Sequence, residues 1–142
     1  WGVRVLLAFS LLAAEALVTV DGKPFFFENL TENRSVVVLW NSWVPQDPQF
    51  VALIREVERR FGAAGFAGAV VIFQEPEVER AAATLGPGPW PRVVDRRGVL
   101  LRKLGASRAP VVLVLAPGGE VQTTAGPDPA SVRKLMETLA RP

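Results

Sequence analysis

The sequence predicts an α/β fold: a central mixed β-sheet with helices on both faces and an N-terminal β-hairpin. Three observations carry this. Apolar, β-branched runs recur at 36–39, 69–73 and 111–115, and continuous runs of that kind suit strands buried on both faces. Segments with apolar residues at helical spacing alternate with them, and such alternation implies a sheet with helices packed on it. Turn signals at Asp21-Gly22 and Pro117-Gly118-Gly119 mark hairpins near either end.

The elements follow in order. Leu17-Val18-Thr19-Val20 reads as a short strand, with Phe25-Phe26-Phe27 as its hairpin partner. A polar loop, 28–34, leads to the interior strand Val36-Val37-Val38-Leu39. Asp47-Pro48 then signals a helix start, because an Asp side chain accepts backbone N–H groups and Pro is tolerated in a first turn. Phe50, Leu53, Ile54, Val57 and Phe61 share its apolar face, while Arg55, Glu56, Glu58, Arg59 and Arg60 share the wet one. Strand 69–73 follows a Gly/Ala-rich connection. Glu75-Pro76 starts a shorter helix reaching about Leu85, with its glutamates solvated, and Gly86-Pro87-Gly88-Pro89-Trp90-Pro91 is a loop. Val93-Val94 is a brief strand, 95–98 a turn and 99–104 a short helix. Strand 111–115 pairs with 120–124 as a second hairpin. Asp128-Pro129 caps a last helix carrying Val132, Leu135, Met136 and Leu139 at helical spacing.

Residues 17–142 read as one domain, with 49% hydrophobic content across the chain supplying its core. Residues 1–16 are a separate matter. Arg4, the apolar run 5–12 and the small-residue end at Ala14-Glu15-Ala16 fit a signal or anchor remnant. They fit a helix or strand packed on the domain equally well. The first reading offers a membrane tether and a place outside the cytoplasm, periplasmic or membrane-anchored; the second leaves a cytoplasmic location open.

The composition excludes more than it assigns. Cys, His and Tyr are all zero. Thiolate nucleophiles, disulfides, iron–sulfur clusters and imidazole or thiolate metal sites are therefore ruled out for this chain. No cofactor, metal site or catalytic residue is predicted. A net charge of +2 supports no polyelectrolyte reading, and no nucleic-acid partner is expected. The Gly-rich segments lack phosphate-loop spacing. Within 92–108, Arg92, Arg96, Arg97, Arg102, Lys103 and Arg108 form a locally basic segment, and Arg96, Arg97, Arg102 and Arg108 are candidates for a basic contact surface.

One stretch organises the functional reading. Strand 36–39 runs directly into Trp40-Asn41-Ser42-Trp43-Val44-Pro45-Gln46-Asp47, and a helix follows. Further along stand Pro91-Arg92-Val93-Val94-Asp95 and Ala109-Pro110-Val111-Val112-Leu113-Val114 with Gly118-Gly119-Glu120-Val121. In this order and spacing the segments resemble the TlpA/ResA branch of the thioredoxin superfamily, over roughly residues 17–140. That resemblance implies a thioredoxin-like fold and a lineage of extracytoplasmic thiol-disulfide oxidoreductases, many serving cytochrome c maturation. It also implies a cis peptide bond before Pro110, facing the active-site loop.

The departures from the family pattern decide the functional expectation. Val44 and Asp47 stand where the family has its two cysteines, and neither can undertake dithiol exchange. Trp43, Val44, Pro45, Gln46 and Asp47 thus outline a vestigial active site, with Ala109 and Pro110 as the cis-Pro, peptide-binding side. Trp43 and Trp90 are both expected near it. Pro48 disfavours helical geometry at Asp47, so the helix is expected to start about a turn later than in the family, with Asp47 as its cap. The expected function is a redox-inactive protein binding a protein or peptide partner outside the cytoplasm. The alternative is an oxidoreductase lineage whose cysteines are lost or replaced in this chain.

Overall fold

The structure, a computed structural model, describes residues 17–140; the expectations for residues 1–16 lie outside the described residues. The elements are β1 (Val18–Thr19), a 3-10 turn (Phe27–Leu30), β2 (Ser35–Trp40), α1 (Phe50–Ala63), β3 (Ala67–Phe73), α2 (Val78–Leu85), β4 (Arg92–Asp95), α3 (Val99–Lys103), β5 (Val111–Leu115), β6 (Val121–Ala125) and α4 (Pro129–Leu139). The six strands form one sheet in the order β1-β4-β3-β2-β5-β6. β2, β3 and β4 run parallel, while β5, β6 and β1 pair antiparallel with their neighbours.

Alternation along the strands divides the core in two. Val36, Val38, Trp40, Val70, Ile72, Val112 and Val114 face α1, α2 and α4, where Phe50, Ile54, Val57, Phe61, Leu85, Val132 and Met136 pack. Val37, Leu39, Val71, Phe73, Val93, Leu113 and Leu115 face the other way, against Leu17, Phe25, Phe27, Leu30, Leu100 and Leu104. Strands β2, β3 and β5 are buried on both faces, save Ala67 at the start of β3. That is why their sequences are continuous rather than alternating in polarity.

Four expectations about the elements are corrected. Phe25-Phe26-Phe27 does not form a strand: only the bridge Val18↔Pro24 completes the first hairpin. The chain then turns inward so that Phe25 and Phe27 are buried, and the 3-10 turn places Leu30 on the same side as Phe27. Helix α2 starts at Val78, with Glu77 at its N-cap, because Glu75 and Pro76 are occupied in a preceding loop. Glu58 is not on a wet face. It is 2% exposed and its carboxylate meets Arg92 twice, at 2.7 and 2.8 Å. Arg92 is correspondingly not part of a basic surface. It also donates to the carbonyls of Gly86 and Trp90, so the Glu58–Arg92 pair clamps the 86–91 loop.

Trp90 is the fourth correction. It lies 6% exposed in the α1/α2 core, over the start of β3. A Cβ at Gly68 would fall 2.4 Å from its ring, so this close approach requires glycine. Gly68 is at the N-terminal end of β3, whereas the Trp40–Asp47 segment leaves the C-terminal end of the parallel β2. The two tryptophans therefore sit at opposite ends of the sheet.

Candidate functional site

The 41–49 segment is held in place by side chains that sequence periodicity could not assign. Asn41, fully buried, donates from Nδ2 to the Phe73 carbonyl at 3.1 Å and accepts the Val44 N–H at 3.0 Å. Trp40, buried in the core, donates its indole N–H to Gln46 Oε1 at 2.7 Å. Gln46 returns its amide N–H to the carbonyls of Asn41 and Val44, at 3.1 and 3.4 Å. Across the loop, Glu75 accepts the Ser42 N–H at 2.7 Å and the Glu77 N–H at 3.2 Å. Glu75 is 5% exposed, correcting its expected place in a solvated turn. Burial pushes its carboxyl up, but the Ser42 and Glu77 donors outweigh this and hold it below the ordinary glutamate value.

Trp43 is the exposed product of this framework. Its side is 56% exposed, yet the ring is fixed at two points. Nε1 donates to the Gln74 carbonyl at 2.8 Å, and the ring meets Phe73 edge-on with centroids 6.5 Å apart. Gln74 has φ 45°, a left-handed conformation that few residues other than glycine adopt. It is held there from both sides: its N–H donates to the Asp95 carbonyl at 2.8 Å, and its C=O accepts from Trp43.

Val44 is half-buried and packs on the α3-side core, as does Ala109. Pro45 and Asp47 are exposed, and Gln46 is turned inward. Leu39 pairs with Val111 in the β2–β5 ladder, so continuing that antiparallel register brings Pro110 opposite Trp40, where the loop departs. The Ala109–Pro110 bond is cis, and Pro110 is buried. The structure thus gathers Trp43, Val44, Pro45, Ala109 and Pro110 at one end of the sheet.

Helix α1 begins at Phe50 with Gln49 at its N-cap and no side-chain cap. Asp47 is not that cap. Its Oδ1 accepts the Gln49 N–H at 2.8 Å, and its carbonyl accepts the Phe50 N–H at 2.9 Å, an Asx turn that precedes the helix. Because α1 starts only at Phe50, Val44 is not at a helix N-terminus, the setting that lowers a thiol pKa.

This architecture has relatives of known structure, although neither family models nor curated proteins supply a match. An exposed lipoprotein thioredoxin, Etrx1 of Streptococcus pneumoniae, superposes with a TM-score of 0.64 at 19% identity, covering 87% of this chain and 97% of that one. The chain has the thioredoxin fold. A thioredoxin-family thiol:disulfide interchange protein of Chlorobium tepidum matches this fold at 22% identity and TM-score 0.64, over 87% and 91% of the two chains. A secreted disulfide oxidoreductase of Mycobacterium tuberculosis matches it at 15% identity and TM-score 0.65, over 86% and 93%. Within the thioredoxin fold seen here, the sequence holds no cysteine.

The basic residues are not one surface. Arg96 lines the cleft beside Trp43 with Gln74, Glu75 and Pro76. Arg102 donates to the Arg97 carbonyl at 2.6 Å, which keeps these two together. Arg108 lies near Asp128 instead; that carboxyl is held below its ordinary value mainly by the Ser131 donors, with Arg108 a smaller contribution. Asp95 anchors the region from within. Fully buried, it accepts the N–H groups of Val99 and Leu100 at 2.7 and 2.9 Å and so starts α3.

Proposed function

We propose that this chain is a redox-inactive thioredoxin-fold protein that binds a protein or peptide partner outside the cytoplasm. The contact surface is Trp43, Val44, Pro45 and Ala109, backed by the buried cis-Pro110. The observation that carries this reading is Trp43. An indole more than half exposed, yet pinned by Gln74 and Phe73, loses little conformational freedom when a partner covers it. The chemistry supports the same reading, since a chain without cysteine has no thiolate to attack a disulfide. The exposed lipoprotein and the secreted oxidoreductase among the similar structures support a place outside the cytoplasm.

Two measurements test the reading. The full chain should not accelerate insulin reduction by dithiothreitol, and measurable turnover would overturn the redox-inactive assignment. A partner retained by the immobilised chain should be lost from Trp43→Ala, with the far-UV circular dichroism unchanged. Equal retention would move the interface elsewhere.

A further inference from the structure

The chemistry around Trp43 also points to the kind of partner. We infer that the Trp43 cleft takes an extended segment carrying acidic side chains, with Trp43 as the apolar anchor and Arg96, Arg97 and Arg102 as the cationic rim. The inference rests on the binding role proposed above and adds the partner's charge.

Four observations support it. First, the anchor offers only its apolar surface, because the Trp43 N–H is satisfied by the Gln74 carbonyl. Polar recognition must then come from its neighbours. Second, those neighbours on the α3 side are arginines. Arg96 shares the cleft wall with Trp43, Gln74 and Pro76. The Gln74 side-chain amide and Arg102 Nη1 lie 3.1 and 3.5 Å from the same point, the Cβ position of Gly98. Gln74, whose carbonyl holds Trp43, therefore passes close to Arg102, and Arg97 is tied to Arg102 through its carbonyl.

Third, two nearby carboxylates, Asp95 and Glu75, are engaged within the protein. Asp95 is fully buried under the start of α3, and Glu75 is buried between the Ser42 and Glu77 amides. Arg96, Arg97 and Arg102 are all exposed. Fourth, the opposite wall has a different character. There Glu77 pairs with Arg80 at 3.2 Å, and Glu79 lies in the adjoining pocket with Arg96. Positive charge is concentrated on the α3 side, which gives the bound segment a direction: its carboxylates lie toward α3. Arginine suits this role because its planar donor fork matches a carboxylate. Lys103 and Arg108 stand outside the rim, Lys103 over the Phe27 ring and Arg108 beside Asp128.

The test uses the full chain and three fluorescent decapeptides in which Leu alternates with Glu, Gln or Lys. Fluorescence anisotropy at low and moderate salt reads the affinities. The Glu peptide should bind at least tenfold more tightly than the Gln peptide, the Lys peptide should bind weakest, and added salt should narrow the gap. The exposed charge reversals Arg96→Glu and Arg97→Glu should invert the preference. Trp43→Ala should weaken the Glu and Gln peptides alike. Equal binding of the Glu and Gln peptides would overturn the acidic-partner inference while leaving the binding role standing. Failure of all three peptides to bind would overturn both. A preference that persists unchanged in the Arg96→Glu/Arg97→Glu double variant would place the acidic recognition elsewhere and overturn the rim assignment.

Discussion

The two ends of the sheet each bury a carboxylate, and they satisfy it differently. At the Trp90 end, Glu58 is neutralised by a guanidinium, and Arg92 gathers the carbonyls of the 86–91 loop around the pair. At the Trp43 end, Glu75 is held by backbone amides instead: its oxygens accept the N–H groups of Ser42 and Glu77. The first arrangement closes its end, leaving Trp90 6% exposed, whereas the second holds a loop open with Trp43 56% exposed. The difference teaches that the exposure of Trp43 is not a packing defect. The framework beneath it is fully hydrogen-bonded, and among the described residues no buried side-chain polar atom lacks a partner.

The largest test of this contrast is Glu58→Gln. It leaves the Arg92 charge buried without its counter-charge, which costs on the order of 3–5 kcal/mol. The urea midpoint should fall accordingly, and replacing both residues with apolar ones should recover much of the loss. A change below about 1 kcal/mol would show that the pair behaves as a surface contact.

Glu75→Gln should cost less, about 1–3 kcal/mol, because a neutral amide oxygen still accepts one of the two N–H groups. Its pH dependence separates it from the Glu58 variant. The native Glu75 pKa lies below its ordinary value of 4.5, so the unfolded state binds more protons in the acid range. The stabilisation is complete above the unfolded value and is lost as pH falls through the lowered native one. Unfolding curves from pH 7 to pH 3 should therefore converge for the parent chain and Glu75→Gln. A constant gap across that range would remove Glu75 as the titrating link.

Trp43→Ala should shift stability by only about 1 kcal/mol, since it removes one exposed hydrogen bond and little core. A loss near that of a core tryptophan, about 3–5 kcal/mol, would mean that the ring serves the fold rather than a partner. The smallest expected effect belongs to Val44→Cys. Its thiol should titrate near the ordinary cysteine value of about 8.5, because α1 begins only at Phe50. Iodoacetamide reactivity against pH measures this, and an inflection below about pH 7 would show that the helix end still reaches position 44.

Much of this molecule was legible in advance because it depends on local pattern. The apolar runs of β2, β3 and β5 and the capped, periodic α4 need no knowledge of the rest of the chain. At α4, Asp128 accepts the Ser131 N–H as its sequence signal requires. The misreadings share a cause as well. Glu58 and Arg92 looked solvated because charge is normally outside, and only their meeting across 34 positions makes burial affordable. Glu75 was hidden in the same way, its partner Ser42 lying on another element. Trp90 was placed at the wrong end because a loop sequence carries no period from which to read direction.

The α/β class, the strands buried on both faces, the absence of thiol and imidazole chemistry, and the stretch from Trp40 to Asp47 as the region to watch were all readable from the chain alone. These follow from residue type and spacing alone. Which charges are internal, that Arg96 lines the cleft beside Trp43 while Arg108 lies near Asp128, and that the Trp43 ring is fixed while exposed emerge only from the folded chain. The physical reason is that hydrogen bonds and ion pairs between distant elements are set by sheet order and register, which no local window contains.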